Sequence, residues 1–402
     1  MIKTAIMGFG TVGSGVFNVI NKNREIIEKR IGDNIEIKYV LDLREFPGSA
    51  VEDVLTHDFN DILNDPEVKI VAEVMGGVNP AYDFTKKCLE AGKSVCSSNK
   101  ELVAAHGPEL LKLASKHNAS YLFEASCGGG IPIIRALNEA LTADVIDEIS
   151  GILNGTTNYI LTEMTKNGSD FEDALKDAQD LGYAEKDPTA DIEGFDVQRK
   201  IAILSSIAFS KTVKNDEIRT EGISKITPVD IEFAKSMDCS IKLLAHSIKK
   251  DGRYYAMVAP FIIKKEHPLY CVDGAFNAIF VHGNMLGDAM FYGSGAGSLP
   301  TASAVTADMV EAAKNIGKNI PCEWKEGEIS LSDPDSFESR FFLRIPAEKE
   351  TDIKKIFGEK IKVIRTDKAK SELGIITGIM SEGDFKEKVQ NLDYILSRIR
   401  CK

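Results

Sequence analysis

IKTAIMGFGTVGSGVFNVI, residues 2–20, is the stretch whose reading decides the fold. An apolar run from Ile2 to Met7 ends in Gly8, Gly10 and Gly13 at the G-x-G-x-x-G spacing, and Val16, Val19 and Ile20 continue at helical intervals. Strand, glycine turn and helix in that order meet three demands: a tight turn, close approach of backbone to a pyrophosphate, and close helix–strand packing. The anion would rest on the free N–H groups of the helix N-terminus. The next apolar strand, Ile35 to Leu41, ends at Asp42, with Arg44 two residues on. An acidic residue there suits the ribose diol of NAD, and an arginine nearby suits the 2′-phosphate of NADP. Both are present, so NAD or NADP remains open at this point.

Outward from this turn the alternation continues. Val68 to Met75 reads as a strand, Gly76-Gly77 and Asn79-Pro80 open a helix through Ala91, and Ser94 to Ser97 is a further strand. Asn99-Lys100 then starts a helix to His117, and Ser120 to Glu124 closes the series. Five strands separated by helices predict a doubly wound, Rossmann-type parallel sheet with ligand chemistry at the strand C-terminal ends. Gly76 lies at one such end and joins Gly8, Gly10 and Gly13 as a cofactor-binding candidate. Lys100 lies at another; it is either a solvated first-turn residue or a group reaching nicotinamide and substrate. The domain is expected to span 1–130 and to be completed by a helix over 299–318, which lends Gly297 to the cofactor cleft.

The balance of residues narrows the partners. Of 402 residues, 43% are hydrophobic and 27% charged, with a net charge of −12. No basic stripe or tail appears, which argues against nucleic acid or an anionic membrane. No apolar run is long enough for a membrane span, and the N-terminus enters a strand without a signal peptide. Seven cysteines without a CxxC pair read as reduced thiols of a cytoplasmic protein. Cys401 is the exception, expected at an exposed C-terminus.

The densest chemistry lies in DLGYAEKDPTADIEGFDVQRKIAILSS, Asp180 to Ser206. Glu185, Asp187, Asp191, Glu193, Asp196 and Lys200 fall within sixteen positions before the chain turns apolar. Asp196 and Lys200 are four apart, so a helix would set them one turn from each other on one face, beside the stripe of Ile201, Leu204 and Ala208. A lysine at the edge of a core among carboxylates can donate a proton; it can equally be a salt-bridged helix start.

EASCGGGIP, Glu124 to Pro132, is a second glycine cluster. Its irregular backbone would turn carbonyls into a cavity, suiting a hard monovalent cation or simply close packing. Cys127 has no histidine near it in sequence, so a nucleophilic thiol is disfavoured. From Val145 to about 298 the pattern mixes helices with long strands, predicting an α+β substrate and dimerisation domain over 131–298. A polar linker follows over 319–338, then a strand–helix–strand–strand–helix unit over 339–402.

Together these motifs resemble one family, the homoserine dehydrogenases. The resemblance covers roughly residues 1–318 and rests on AQDLGYAEKDPTADIEGFDVQRK (Ala178 to Lys200), with GILNGTTNYIL, EASCGGGIPII and NKELVAAHG in support. It implies reversible hydride transfer between NAD(P)H and L-aspartate 4-semialdehyde, giving L-homoserine. Lys200 would be the acid/base and Lys100 the lysine near nicotinamide and substrate. Glu185 and Asp196 would hold the substrate, and Asp191 would be a further acceptor for its ammonium group. Phe9, Thr11, Val12 and Gly182 would touch the cofactor. Glu124, Cys127, Gly129 and Ile131 would hold a sodium-type ion, mainly through backbone oxygens. A homodimer or larger homo-oligomer is also implied.

The tail resembles an ACT domain, with FFLRIP as its first strand. Its next loop, Ala347 to Thr351, lacks the Asp-x-x-Gly-type turn that helps bind an amino-acid effector, so dimerisation or a structural role competes with threonine feedback. The alternative reading of the whole chain is a catalytically inactive sensor that binds nucleotide and signals through the tail. The joint presence of Lys100, Glu185, Asp196 and Lys200 argues against it.

Overall fold

Six parallel strands form the first sheet of the computed structural model, which describes all 402 residues. They are β1 (Ile2–Met7), β2 (Ile35–Leu41), β3 (Leu55–Thr56), β4 (Val68–Glu73), β5 (Ser94–Ser97) and β6 (Tyr121–Leu122), in the order β3-β2-β1-β4-β5-β6. Crossover helices include α1 (Thr11–Lys22), α2 (Ala81–Glu90) and α3 (Lys100–Lys116). The strand order reverses between β1 and β4, which opens the crevice at their C-terminal ends where Gly8 to Gly13 and Gly76 lie. β3 is the strand missing from the sequence reading, because two residues carry no periodicity.

Aliphatic side chains from one face of this sheet and the helices packed on it make one core, including Ile6, Val16, Ile20, Val40, Ile70, Val305 and Met309. Each contributes about 1.5–3 kcal/mol by leaving water. Val305 and Met309 come from the helix Ser298–Lys314, which packs on α1 where Gly15 permits it. A Cβ at Gly15 would lie 2.8 Å from both the Ala302 Cβ and the Ser298 Oγ.

The second sheet has eleven strands. Its main path uses β7 (Ile146–Ile152), β9 (Cys239–Lys250), β10 (Arg253–Lys264), β11 (Phe276–Gly283), β12 (Gly287–Ser294), β13 (Glu338–Pro346), β14 (Lys362–Ile364), β15 (Glu372–Ile376) and β16 (Ser397–Cys401). The order is β12-β11-β7-β9-β10-β16-β13-β15-β14. The short strand β8 (Arg219–Thr220) also pairs with β10. The helices α4 (Gly155–Asn167), α5 (Phe171–Asp180) and α6 (Phe195–Ala208) follow β7 in the chain.

Two compact units result: Met1–Val145 with Ala202–Val213 and Gly293–Glu328, and Ile146–Ile201 with Lys214–Tyr292 and Ile329–Lys402. Residues 339–402 fall within the second of these units. The reason is β16, which runs parallel to β10 with Phe261 opposite Arg400, so the tail's strands extend the sheet of the second unit. The expected last helix of the tail is short, and the C-terminus, expected exposed at Cys401, is built into the sheet. That helix spans only Glu382–Val389, Arg400 is buried, and Cys401 is half-buried with its thiol pushed up to about 12 by burial. The expected linker is also partly built into the fold. Trp324 is buried against Gly107 and donates to Thr212 Oγ1 at 3.1 Å, beside a two-stranded ribbon of Lys325–Glu328 and Lys211–Thr212.

No helix is long and apolar enough to cross a membrane.

Candidate active site

In the second unit the site is built from the start of α4 outward. Asn154 caps α4 by accepting from Thr157 N, an arrangement that satisfies one of the helix's orphan donors. The same side chain turns its Nδ2 toward two carboxylates, donating to Asp191 Oδ1 at 2.7 Å and Asp196 Oδ2 at 2.9 Å. Asp196 lies in the first turn of α6, one turn before Lys200 on the same face. Lys200 Nζ donates to Asp196 Oδ2 at 2.6 Å and to Leu153 O at 2.8 Å. Both side chains are nearly buried, 11% exposed for Lys200 and 4% for Asp196. An ammonium so placed is oriented from two sides, and its charge is balanced by a carboxylate that is itself fixed by Asn154. Such a group can hold a proton at a defined point and pass it to an oxygen brought within reach.

The sequence had suggested Lys200, Asp196 and Asp191, and the structure brings these three together. Asn154 was missed, although an Asn directly before Gly155-Thr156-Thr157 is a capping signal. Glu185 is not hydrogen-bonded to this group. It lies in the exposed turn after α5, where its carbonyl accepts from Gln179 Nε2 at 3.1 Å. Gly182 occupies the same exposed turn with φ +75°. Asp187 accepts from Thr189 N and Oγ1 and shapes the loop.

In the first unit, the glycine turn obeys the demands read from its spacing. Gly8 has φ +98°, and a Cβ on Gly13 would fall 2.0 Å from Gly8 O, so strand and helix meet there without room for a side chain. Gly10 caps α1, and a Cβ there would meet nothing within 4 Å. Its smallness serves no protein neighbour and leaves the helix N-terminus open to an anion. Thr11, exposed, begins the helix and its carbonyl accepts from Ser298 Oγ at 2.6 Å; Gly297 precedes that serine with φ +111°. Val12 is half-buried against the core.

Asp42 sits where the ribose diol is expected. Its Oδ2 accepts from Phe9 N at 2.7 Å, and Arg44 grips both carboxylate oxygens at 2.9 Å. The Arg44 guanidinium, first, and the main-chain N–H groups of Phe9 and Arg44 hold this carboxyl far below the usual range against the opposing effect of burial. Arg44 itself is largely exposed and lies over the Phe46 ring.

At the neighbouring strand ends, Glu73 is fully buried and binds Met75 N at 3.0 Å and Ser97 Oγ at 2.6 Å. Burial pushes its carboxyl up. It ties the Gly76 turn, where φ is +83°, to the β5 end, and Asn99 then caps α3 so that Lys100 is its first residue. The sequence reading missed Glu73, which lay inside the predicted strand Val68 to Met75 and ends the observed one.

No group of three or more metal-binding side chains occurs. Around the second glycine cluster, the Glu124 carboxylate accepts from Ile134 N at 2.8 Å and Arg135 N at 2.7 Å. Cys127 is fully buried, which removes thiol chemistry from consideration. Gly128 and Gly129 both take positive φ, and a Cβ on Gly129 would lie 2.5 Å from Gly295. The segment from Glu124 to Ile131 can offer a cation main-chain oxygens and no set of thiolate or imidazole ligands.

Comparison with known proteins points to one family. Residues 8–124 match the family model "Homoserine dehydrogenase, NAD binding domain", and residues 132–310 match "Homoserine dehydrogenase". The homoserine dehydrogenase of Bacillus subtilis is 38% identical over 410 residues, covering 98% of this chain and 95% of its own. The crystal structure of a homoserine dehydrogenase from Thiobacillus denitrificans superposes with a TM-score of 0.91 at 34% identity, covering 100% of this chain and 98% of its own. A hyperthermophilic archaeal homoserine dehydrogenase mutant in complex with NADPH is 28% identical with a TM-score of 0.66, over 77% of this chain and 97% of its own. With an NAD-binding sheet at one end of the chain and a buried lysine–carboxylate pair in the other unit, this protein belongs to the homoserine dehydrogenase family.

Proposed function

We propose that the chain interconverts L-aspartate 4-semialdehyde and L-homoserine with NADP or NAD, using Lys200 as the acid/base. The observation that carries this reading is the double anchoring of Lys200 Nζ by Leu153 O and Asp196 Oδ2 inside a network closed by Asn154. The bound dinucleotide supplies or accepts the hydride. In the reducing direction Lys200 stabilises the forming alkoxide and gives it the proton; in the oxidising direction it takes the hydroxyl proton. Asp196 acts by holding Lys200 in place. Asp191, steadied by Asn154, and Glu185 on its exposed turn are the acceptors for the substrate's ammonium group. Lys100, at the head of α3, is the second lysine toward nicotinamide and substrate oxygen.

Gly8, Phe9, Gly10, Thr11, Val12, Gly13, Gly76, Gly182 and Gly297 would hold the cofactor. Arg44 already neutralises Asp42 and is exposed enough to meet a 2′-phosphate, which favours acceptance of NADP beside NAD. The main-chain oxygens of Glu124, Cys127, Gly129 and Ile131 would hold a sodium-type ion. The tail, 339–402, is ACT-like, and the working assembly is a homodimer or larger.

The test is an absorbance assay of the reduced cofactor with purified protein, L-homoserine, and NAD⁺ or NADP⁺ separately. Homoserine-dependent reduction of either cofactor supports the reading; none with either, in a folded protein, overturns it.

A further inference from the structure

The edge of β10 is shared end to end by two segments. β8 runs parallel to it at Met257 and Val258, and β16 runs parallel to it at Phe261 and Ile262. Glu221 follows β8 directly and donates its N–H to Val258 O at 2.8 Å, which places it beside the first residues of β16. Its carboxylate meets Arg398 Nη2 at 3.0 Å through each oxygen, and Arg400 Nη1 and Nη2 at 2.9 and 2.8 Å. Bidentate pairs of this kind fix a carboxylate in orientation as well as in place. Burial alone would push the Glu221 carboxyl up, but the two guanidiniums outweigh it and bring it to about 2.

The other side of the same short segment faces the substrate loop. Ile223 N donates to Ile192 O at 2.8 Å. A Cβ on Gly222 would lie 2.2 Å from Ile192 O and 2.5 Å from Glu193 Cα, so the two backbones are in direct contact. Ile192 and Glu193 lie between Asp191 and Asp196, the two carboxylates joined by Asn154.

We propose that Glu221 is a positioning residue for the substrate loop: Arg398 and Arg400 of the last strand lock it, and it presses residues 222–223 against Ile192 and Glu193. The C-terminal strand thereby sets the placement of Asp191 relative to Lys200, a role that rests on the active-site reading above. The tail is then part of the substrate site's support, whether or not it binds an effector.

The test uses the full chain with Glu221→Gln and Arg398→Gln, singly and together. Glu221→Gln leaves Arg400 paired with Glu382, which accepts from its Nη2 at 2.9 Å, so no buried guanidinium is stranded. The expected result is a KM for homoserine raised about tenfold, a KM for the dinucleotide within about twofold of the parent, and a double variant little worse than either single one. Hydrogen exchange of peptides spanning 185–194 should quicken in the variants while peptides of β1 to β6 keep the parent's rates. An unchanged homoserine KM, or a loop exchanging at the parent's rate, overturns the proposal. The exchange measurement holds even for a parent inactive on homoserine, an outcome that would instead defeat the functional reading.

Discussion

Asn154 Nδ2 stands 2.7 Å from Asp191 Oδ1, and the same amide nitrogen reaches Asp196, so one capping residue governs both carboxylates of the loop. Replacing it by alanine removes a helix cap and one hydrogen bond from each carboxylate. Asn154→Ala should lower kcat/KM for homoserine by roughly 10- to 100-fold, at about 1 kcal/mol of stability. Steady-state kinetics beside a denaturant titration separate the two effects; a stability loss with unchanged kinetics would reduce Asn154 to a cap.

Gly10 and Gly13 are equally glycine in the sequence but not in the fold. Gly10→Ala meets no protein atom within 4 Å, so its melting temperature should match the parent's while dinucleotide affinity falls about tenfold or more. Gly13→Ala places a methyl group 2.0 Å from Gly8 O and should fail to fold or lose the first sheet's stability. Thermal melts with and without dinucleotide check both. Full cofactor affinity in Gly10→Ala would move the phosphate away from this turn.

Cofactor choice should respond to Arg44. Arg44→Ala leaves Asp42 without its guanidinium, whose hydrogen bonds hold the carboxyl down. A freed carboxylate accepts a ribose diol and repels a 2′-phosphate. The ratio of kcat/KM with NADP⁺ to that with NAD⁺ should therefore drop about tenfold or more. Equal use of the two cofactors before and after the change would take Arg44 out of the preference.

Acid sensitivity should trace partly to His246. Burial, then Lys402, drives its pKa down to about 3, against the pull of Glu148; His267 adds a smaller push downward. Ser150 Oγ completes the contacts at 2.8 Å from Nδ1. The unfolded chain takes up this proton near pH 6.5 and the folded chain does not until about 3, so the unfolded state binds more protons across that window. Stability should fall as pH drops from about 6.5 toward 3, by up to roughly 1.4 kcal/mol per pH unit for this proton. His246→Gln should flatten the dependence of melting temperature on pH over 6.5 to 4.5. Parallel curves for parent and variant would assign the acid loss elsewhere.

What was legible in the sequence was what depends on near neighbours in the chain. The Gly8–Gly13 turn, Asp42 at a strand end, and the Asp196–Lys200 spacing each need only a local period. Asn154, Glu73 and Glu221 were not legible, because their meaning comes from residues brought to them by the fold: Asp191 and Asp196, Ser97, and Arg398 with Arg400. The last strand was hidden for the same reason. Ser-Arg-Ile-Arg-Cys reads as a polar tail until Glu221 and Glu382 neutralise its arginines. The Glu124 carboxylate, which accepts from Ile134 N and Arg135 N, was likewise not legible from its neighbours in the chain.

The central claim is that Lys200 moves the proton. Lys200→Ala, compared with the parent in homoserine-dependent reduction of NADP⁺ and in dinucleotide binding by fluorescence, tests it most directly. Turnover should fall by about 10²-fold or more with dinucleotide affinity near the parent's. A folded Lys200→Ala protein that turns over within a few-fold of the parent would contradict it.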